Sequence, residues 1–538
     1  MHPRPVSGYR ACSSGRQALI AAVLFLAGCA PVVVQAPTAA KPPKAKEGTV
    51  VVSVTGNTAR VSQFDSINIK QYIKPEPGVA PIKGEYILLQ VSEGLARDTS
   101  LFVGAVPEGD YVFDKLSDSK TRKFIQLTDK SVERLGIFRV KAGAVSDLGR
   151  IVVTALNTRV LIGRSQRVRS NAELVKRFAP ANAAIYAGEV NEGWIGPRDK
   201  SDVVEEYALQ YPVGADALTE LSNGWVIGAS RLGTVLLRTP AGTWKGIRSD
   251  SLESLLWVKP YESEKSALIA VGEFNTMLRF DRQGHVAPIE PGNLPPGNLL
   301  FIDGSDSVGW FVVQQHGTEV TIYRSSQLEG GDWQPLKKES VETSFWNGAN
   351  NFWAWPTKDG FAYAISAGKI HFYDFAKETW SERSAPKNAR FIRIAPQPSN
   401  TLGALTSPGA GAGGMLATDY LSRDGGSTWT EINSPFTVKL FPPYLSSSGS
   451  LLLLGGAFGS PELQESKDMG KTWHKISDKV SLEEQIVVLP TKGLFLVSTG
   501  QQFGLASIKH SEDGGATWKT EYSNFDRAAY EAQQKDKK

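Results

Sequence analysis

The chain has 538 residues, 59 of them Lys or Arg and 55 Asp or Glu, for a net charge of +4 at neutral pH. So small an excess creates no overall field for nucleic acid. Two cysteines, Cys12 and Cys29, are too few for a disulfide framework or a cysteine-based metal centre.

Residues 1–28 read as a sorting signal. Arg4, Arg10 and Arg16 precede the nine-residue apolar run from Ala18 to Leu26, and no acid occurs before Cys29. A membrane-spanning helix needs about 20 apolar residues, so the run is a signal-peptide core. It closes in Leu26-Ala27-Gly28-Cys29, which resembles a bacterial lipobox. The resemblance implies cleavage before Cys29, lipid attachment to that cysteine and a membrane anchor. Ala30, in place of Asp, implies the outer rather than the inner membrane of the cell envelope, with the periplasmic and surface faces both open. Cleavage removes three Arg and Cys12, leaving 56 basic against 55 acidic residues, or +1.

Residues 29–48 hold Pro31, Pro37, Pro42 and Pro43 among Ala, Val and Lys. This composition predicts a flexible tether, reaching roughly 60 Å when extended. Residues 49–165 read as all-β, with strands at Tyr86–Val91, Leu101–Val103, Tyr111–Phe113, Ile137–Val140 and Gly149–Val153. Turn signals such as Pro107-Glu108-Gly109-Asp110 separate them, as in a small β-sandwich. The stretch Val106–Phe113 is similar to a strand of transthyretin-like modules. Residues 166–212 predict a partly helical connector, with helices over Asn171–Phe178 and Ser201–Gln210.

From 213 to 522 the chain repeats. Ser422-Arg423-Asp424-Gly425-Gly426-Ser427-Thr428-Trp429, Ser466-Lys467-Asp468-Met469-Gly470-Lys471-Thr472-Trp473 and Ser511-Glu512-Asp513-Gly514-Gly515-Ala516-Thr517-Trp518 share the form S-x-D-x-G-x-T-W, with tryptophans 44 and 45 residues apart. Degenerate copies end at Trp244, His285, Trp333 and Trp380. Seven units of this length predict a seven-bladed β-propeller, although six or eight blades also fit the faint first units. The polar residues 523–538 predict a fraying tail.

The motif resembles the Asp-box, or bacterial neuraminidase repeat, of sialidases, sortilin-type receptors and a photosystem II assembly factor. Its residue types explain a hairpin. Gly426, Gly470 and Gly515 suit positive φ. Asp424, Asp468 and Asp513 accept turn amides, supported by Ser422, Ser466 and Ser511. Thr428, Thr472 and Thr517 lead into the outer strand, and Trp429, Trp473 and Trp518 bury their rings between blades. In the named families this hairpin lies far from substrate, which implies a structural role for these acids.

The sequence supplies no catalytic set. A sialidase grips a carboxylate with three arginines beside a Tyr–Glu pair; the nearest string, Phe391-Ile392-Arg393-Ile394-Ala395-Pro396, reads instead as a strand of the fifth unit. The mature histidines, His285, His316, His371, His474 and His510, lie in five different units without metal-ligand spacing, so no metal or cofactor is expected. Trp346, Asn347, Trp353 and Trp355 could stack on and hydrogen-bond a sugar, or belong to the inter-blade core. The glycine-rich stretch Ser407–Met415 reads as a loop. These readings predict an all-β, lipid-anchored envelope protein: a seven-bladed propeller after a β-sandwich, binding a protein or glycan partner without catalysis. The alternative is a sialidase-like glycoside hydrolase with a diverged site. A third reading is an assembly factor.

Overall fold

The computed structural model describes residues 32–57, 64–74, 84–93, 98–118, 124–157, 159–196, 203–210, 215, 217–261, 267–281, 283–341, 351–408, 416–457, 460–498, 506–528, 531 and 535. Cys29, Trp346, Asn347 and Gly409–Met415 lie outside them.

The N-terminal unit is built on β2 (Glu47–Gly56), whose run of valines is apolar on both faces. Val50, Val52 and Val54 point into the main core, while Val51 packs under a helix with Val175 and Ala179. Such two-sided burial is what a central strand requires. Strand β2 lies between β5 (Ser100–Pro107), antiparallel, and β9 (Val145–Leu156), parallel. The sheet then runs through β4 (Tyr86–Glu93), β3 (Ser66–Gln71) and β6 (Gly109–Ser117) to β8 (Ile137–Val140). Strand β4 pairs with both β3 and β5, so what the sequence suggested as a sandwich is one connected sheet of twelve strands, nine along its path and three branching from it. Its two halves share a core that joins Val50, Phe102 and Ile151 to Ile67, Phe113 and Phe138.

The segment expected to be a tether is fastened from Val32 onward. Strand β1 (Val32–Val34) pairs in parallel with β4, and the Ala105 amide donates to the Gln35 carbonyl at 3.1 Å. Asn182 holds the Pro37 carbonyl at 2.7 Å. The valines make the difference: Val34 packs against the core, which outweighs the proline-rich composition.

Residues 219–523 form seven four-stranded antiparallel sheets, each from four consecutive strands. Blades 1 to 7 span 219–248, 255–288, 298–340, 352–384, 390–432, 444–477 and 484–523. Each of the seven markers stands at the start of, or one residue before or after the start of, an outer strand, including the faint Trp244 and His285. Among the described residues, pairing within each blade is consecutive, and no strand crosses from one end of the chain to close the ring. Side chains between blades 7 and 1 do so. Arg238 donates to both Glu521 oxygens at 2.6 and 2.7 Å, and the Trp244 indole to one of them at 3.1 Å. Val226 and Leu236 pack against Leu489, Phe495 and Ile508 beneath this pair.

Two helices, Ala172–Phe178 and Val203–Gln210, follow β9 in the chain. Phe178 meets Phe274 of blade 2 at a ring separation of 4.9 Å, and Ala208 and Leu209 pack on Leu232 of blade 1. Buried polar contacts reinforce this joint. Arg150 pairs with Glu253 at 3.0 Å and Arg231 with Asp98 at 3.1 Å. Glu273 is fully buried and accepts from the Asp98 amide, and from the Thr99 hydroxyl at 2.9 Å. The start of the expected tail is held too: Asp526 and Asn157 exchange two hydrogen bonds at 3.0 and 3.1 Å.

Glu521→Ala should lower the free energy of unfolding by about 3–5 kcal/mol, because it strands a buried guanidinium. Pairing Glu521→Leu with Arg238→Met should recover most of that loss in denaturant titrations. Burial, reinforced by Asp98, raises the pKa of Glu273. The docked state therefore holds this proton more tightly than the undocked state, and docking weakens as pH rises from the ordinary carboxylate range to the raised pKa. Glu273→Gln should flatten the fall in melting temperature measured between about pH 5 and 8.

Candidate functional site

The three motif hairpins have one geometry. Ser422, Ser466 and Ser511 donate to Oδ1 of Asp424, Asp468 and Asp513 at 2.8, 2.8 and 2.9 Å, and accept the amides of Gly426, Gly470 and Gly515. The amides of Thr428, Thr472 and Thr517 reach the same Oδ1 at 2.8 Å, and their hydroxyls reach Oδ2 at 2.6–2.7 Å. The glycines have φ of +93°, +88° and +103°. A Cβ at Gly515 would stand 2.7 Å from Leu463 of the preceding blade. Trp429 donates back to the Ser384 carbonyl at the end of blade 4, and Trp473 to the Asn433 carbonyl just after blade 5. All three tryptophans are half-buried, so each contributes less than a fully buried ring.

The faint second unit rebuilds this device with different chemistry. Asp281 accepts the His285 amide at 2.8 Å and faces its Nδ1 at 2.8 Å, so the imidazole stands where threonine stands elsewhere. The other histidines are also dispersed: His316 against the Pro296 carbonyl, His371 beside Lys337, His510 at the ring closure. Among the described residues no group of three His, Cys, Asp or Glu could hold a metal ion.

Trp353 and Trp355 lie on the first strand of blade 4, Phe352–Pro356. They face blade 5, packing with Phe391, Ile394 and Tyr420, while Phe352 and Ala354 face blade 3. Arg393 lies on the first strand of blade 5, and its guanidinium stands 4.8 Å above Phe441. Arg238 is taken by Glu521, and Arg383 donates to the Asp424 and Gly425 carbonyls at 2.9 and 2.8 Å.

The two faces of the ring differ. One carries the turns between second and third strands, such as 230–233 and 273–276, and there the N-terminal unit covers blades 1 and 2. The other, the hairpin face, carries three linked clefts. The first, about 720 Å³ between blades 4 and 5, is lined by Trp355, Phe372, Lys358 and Asp374. The second, about 310 Å³ across blades 5 to 7, shares Gln397, Pro398 and Ser399 with it. The third, about 590 Å³ from blade 6 to blade 1, shares Ser446, Ser447 and Pro490 with the second and includes Lys492 and Asp513. Together they make an arc over blades 4 to 7 and onto the edge of blade 1. Between the first two clefts, Ser399 and Asn400 both have φ of +59°, a conformation that costs energy in residues with a Cβ. Lys377 holds Asp374 below its ordinary pKa, so that carboxylate is an ion-pair partner rather than a proton donor.

The sequence reading did not single out this arc. Its signal is a repeated turn before the second strand: Pro356-Thr357-Lys358-Asp359-Gly360 and Pro490-Thr491-Lys492-Gly493 place Lys358 and Lys492 in equivalent positions.

No family model matches the chain, and no curated protein matches it. Among solved structures it is similar to virginiamycin B lyase from Staphylococcus aureus, at 11% identity over 53% of this chain and 91% of that one, with a TM-score of 0.36. It is similar to YCF48 bound to D1 peptide, at 19% identity over 53% and 91% with a TM-score of 0.38. A Lactobacillus plantarum protein aligns at 11% identity over 58% and 94%, with a TM-score of 0.37.

The hairpin acids set an acid limit on the propeller. The Thr428 amide, foremost, holds Asp424 down at about 2; the Thr517 hydroxyl, then its amide, holds Asp513 at about 2. Asp468 is lowered further by Thr472. Depressed carboxylates contribute stability that is complete above the unfolded pKa of about 4 and is lost as pH falls through the folded value. Changing all three to Asn should lower stability at neutral pH and flatten the loss measured between about pH 4 and 2.

Proposed function

We propose that this chain is an envelope lipoprotein, anchored through acylated Cys29, whose Asp-box propeller binds a protein partner in a scaffolding or assembly role. The binding reading rests on the continuity of the arc: three clefts on the hairpin face share lining residues across blades 4 to 7. An extended protein segment can follow such a path, meeting Lys358, Asp374 and Lys492 as alternating charges and the Trp355–Phe372 floor as an apolar anchor. Arg238, Arg383 and Arg393 each hold a different neighbour, so these three form no carboxylate clamp of the hydrolase kind. The anchor reading rests on the short apolar run and Leu26-Ala27-Gly28-Cys29, and the outer membrane on Ala30.

Cross-linking from membranes tests both parts. Combining Lys358→Glu, Ser447→Trp and Lys492→Glu should reduce recovery of a protein partner at least tenfold with the melting temperature unchanged, while Ser427→Trp, at a hairpin tip, should not. Equal recovery by every variant would sink the arc, and recovery of polysaccharide alone would replace the protein partner with a glycan. Cys29→Ser should move the chain to the soluble fraction.

A further inference from the structure

The end of the N-terminal unit where the chain enters carries exposed apolar residues. Val32 and Val33 are 56% and 52% exposed, and Ile73 and Tyr86 are 37% and 38% exposed. They lie together: Val32 is in register with Ile87, next to Tyr86, and Tyr86 pairs with Lys70, three residues before Ile73. Lys70 stands 5.6 Å from the Tyr86 ring. Exposed Lys41, Lys44, Lys46 and Lys74 lie at the same end. The carboxylates there are Glu47, 3.4 Å from Lys44, with Glu85 and Glu108; Asp110 is held by Arg139 at 2.7 Å. Lysines thus outnumber unpaired acids.

Only Ala30 and Pro31 separate Cys29 from Val32. Three residue steps span at most about 11 Å. An interfacial layer is roughly 5–8 Å deep on each side of a bilayer. If acyl chains on Cys29 sit in the hydrocarbon, those steps lift the fastened β1 at most about 3–6 Å past the headgroups, so the end of the unit that carries it lies at the membrane surface. We infer that this end of the N-terminal unit rests on the bilayer, with Val32, Val33, Ile73 and Tyr86 at headgroup depth and the lysines facing anionic lipid. The inference rests on the anchoring reading and deepens it. The anchor becomes a short strap, and the joint at Arg150–Glu253 and Arg231–Asp98 carries the fixed attitude on to the propeller.

The test uses the full acylated chain on vesicles of phosphatidylethanolamine and phosphatidylglycerol containing a headgroup quencher. With Cys12 removed and Cys29 acylated, an introduced thiol is the only one available for an environment-sensitive dye. Dyes on Val33→Cys and Ile73→Cys should shift to the blue and be quenched at least threefold, whereas a dye on Ser427→Cys should not respond. Unquenched dyes at 33 and 73 on an acylated, vesicle-bound chain overturn the inference and leave the anchor intact. Mass spectrometry reads acylation separately. If Cys29 proves unmodified, the anchoring reading fails, and the same dyes on a Cys12→Ser, Cys29→Ser chain with vesicles, where position 33 or 73 again carries the only thiol, still decide whether this surface meets lipid: quenching upholds it, no quenching overturns it.

Discussion

The ring is closed by a buried arginine–glutamate fork. Each blade takes its four strands from one continuous stretch, so blades 7 and 1 meet without a shared sheet. Arg238, Glu521 and Trp244 make that seam, over an apolar layer that includes Phe495 and Ile508. A closed ring leaves few sheet edges open to pairing with other chains. It also fixes the angle between blades, and that angle decides whether turns from neighbouring blades form clefts at all. The seam also borders the arc, since Arg238 lines its third cleft.

The joint between the two units acts similarly on the opposite face. Leu232 and Phe274, both at positive φ, project from the turns of blades 1 and 2 into the N-terminal unit and its helices. Apolar knobs supply contact area, while Arg150–Glu253 and Arg231–Asp98 fix the angle of approach. Buried ion pairs contribute little net stability but penalise wrong alignments. One face of the ring is partly covered as a result, and the hairpin face is left available.

The hairpins themselves were legible because their chemistry is local. Ser422, Asp424, Gly426 and Thr428 satisfy one another within seven residues, so spacing alone reveals the turn. The repeat was legible for the same reason, even where His285 replaces threonine and only Asp281 and a glycine remain. Composition misled where a few apolar residues outweighed many prolines: Val32–Val34 is a strand. The arc was illegible as a site, since Lys358, Ser399 and Lys492 are ordinary turn residues until three blades bring them together.

By itself, then, the sequence determined the period, the hairpin chemistry and a propeller of six to eight blades, because each depends on residues that are neighbours in the chain; packing set the count at seven. Tertiary structure alone decided which arginine closes the ring, which face is covered and where clefts join. Those depend on contacts such as Arg238 with Glu521 and Arg150 with Glu253, whose partners lie far apart along the chain and meet only when the blades pack.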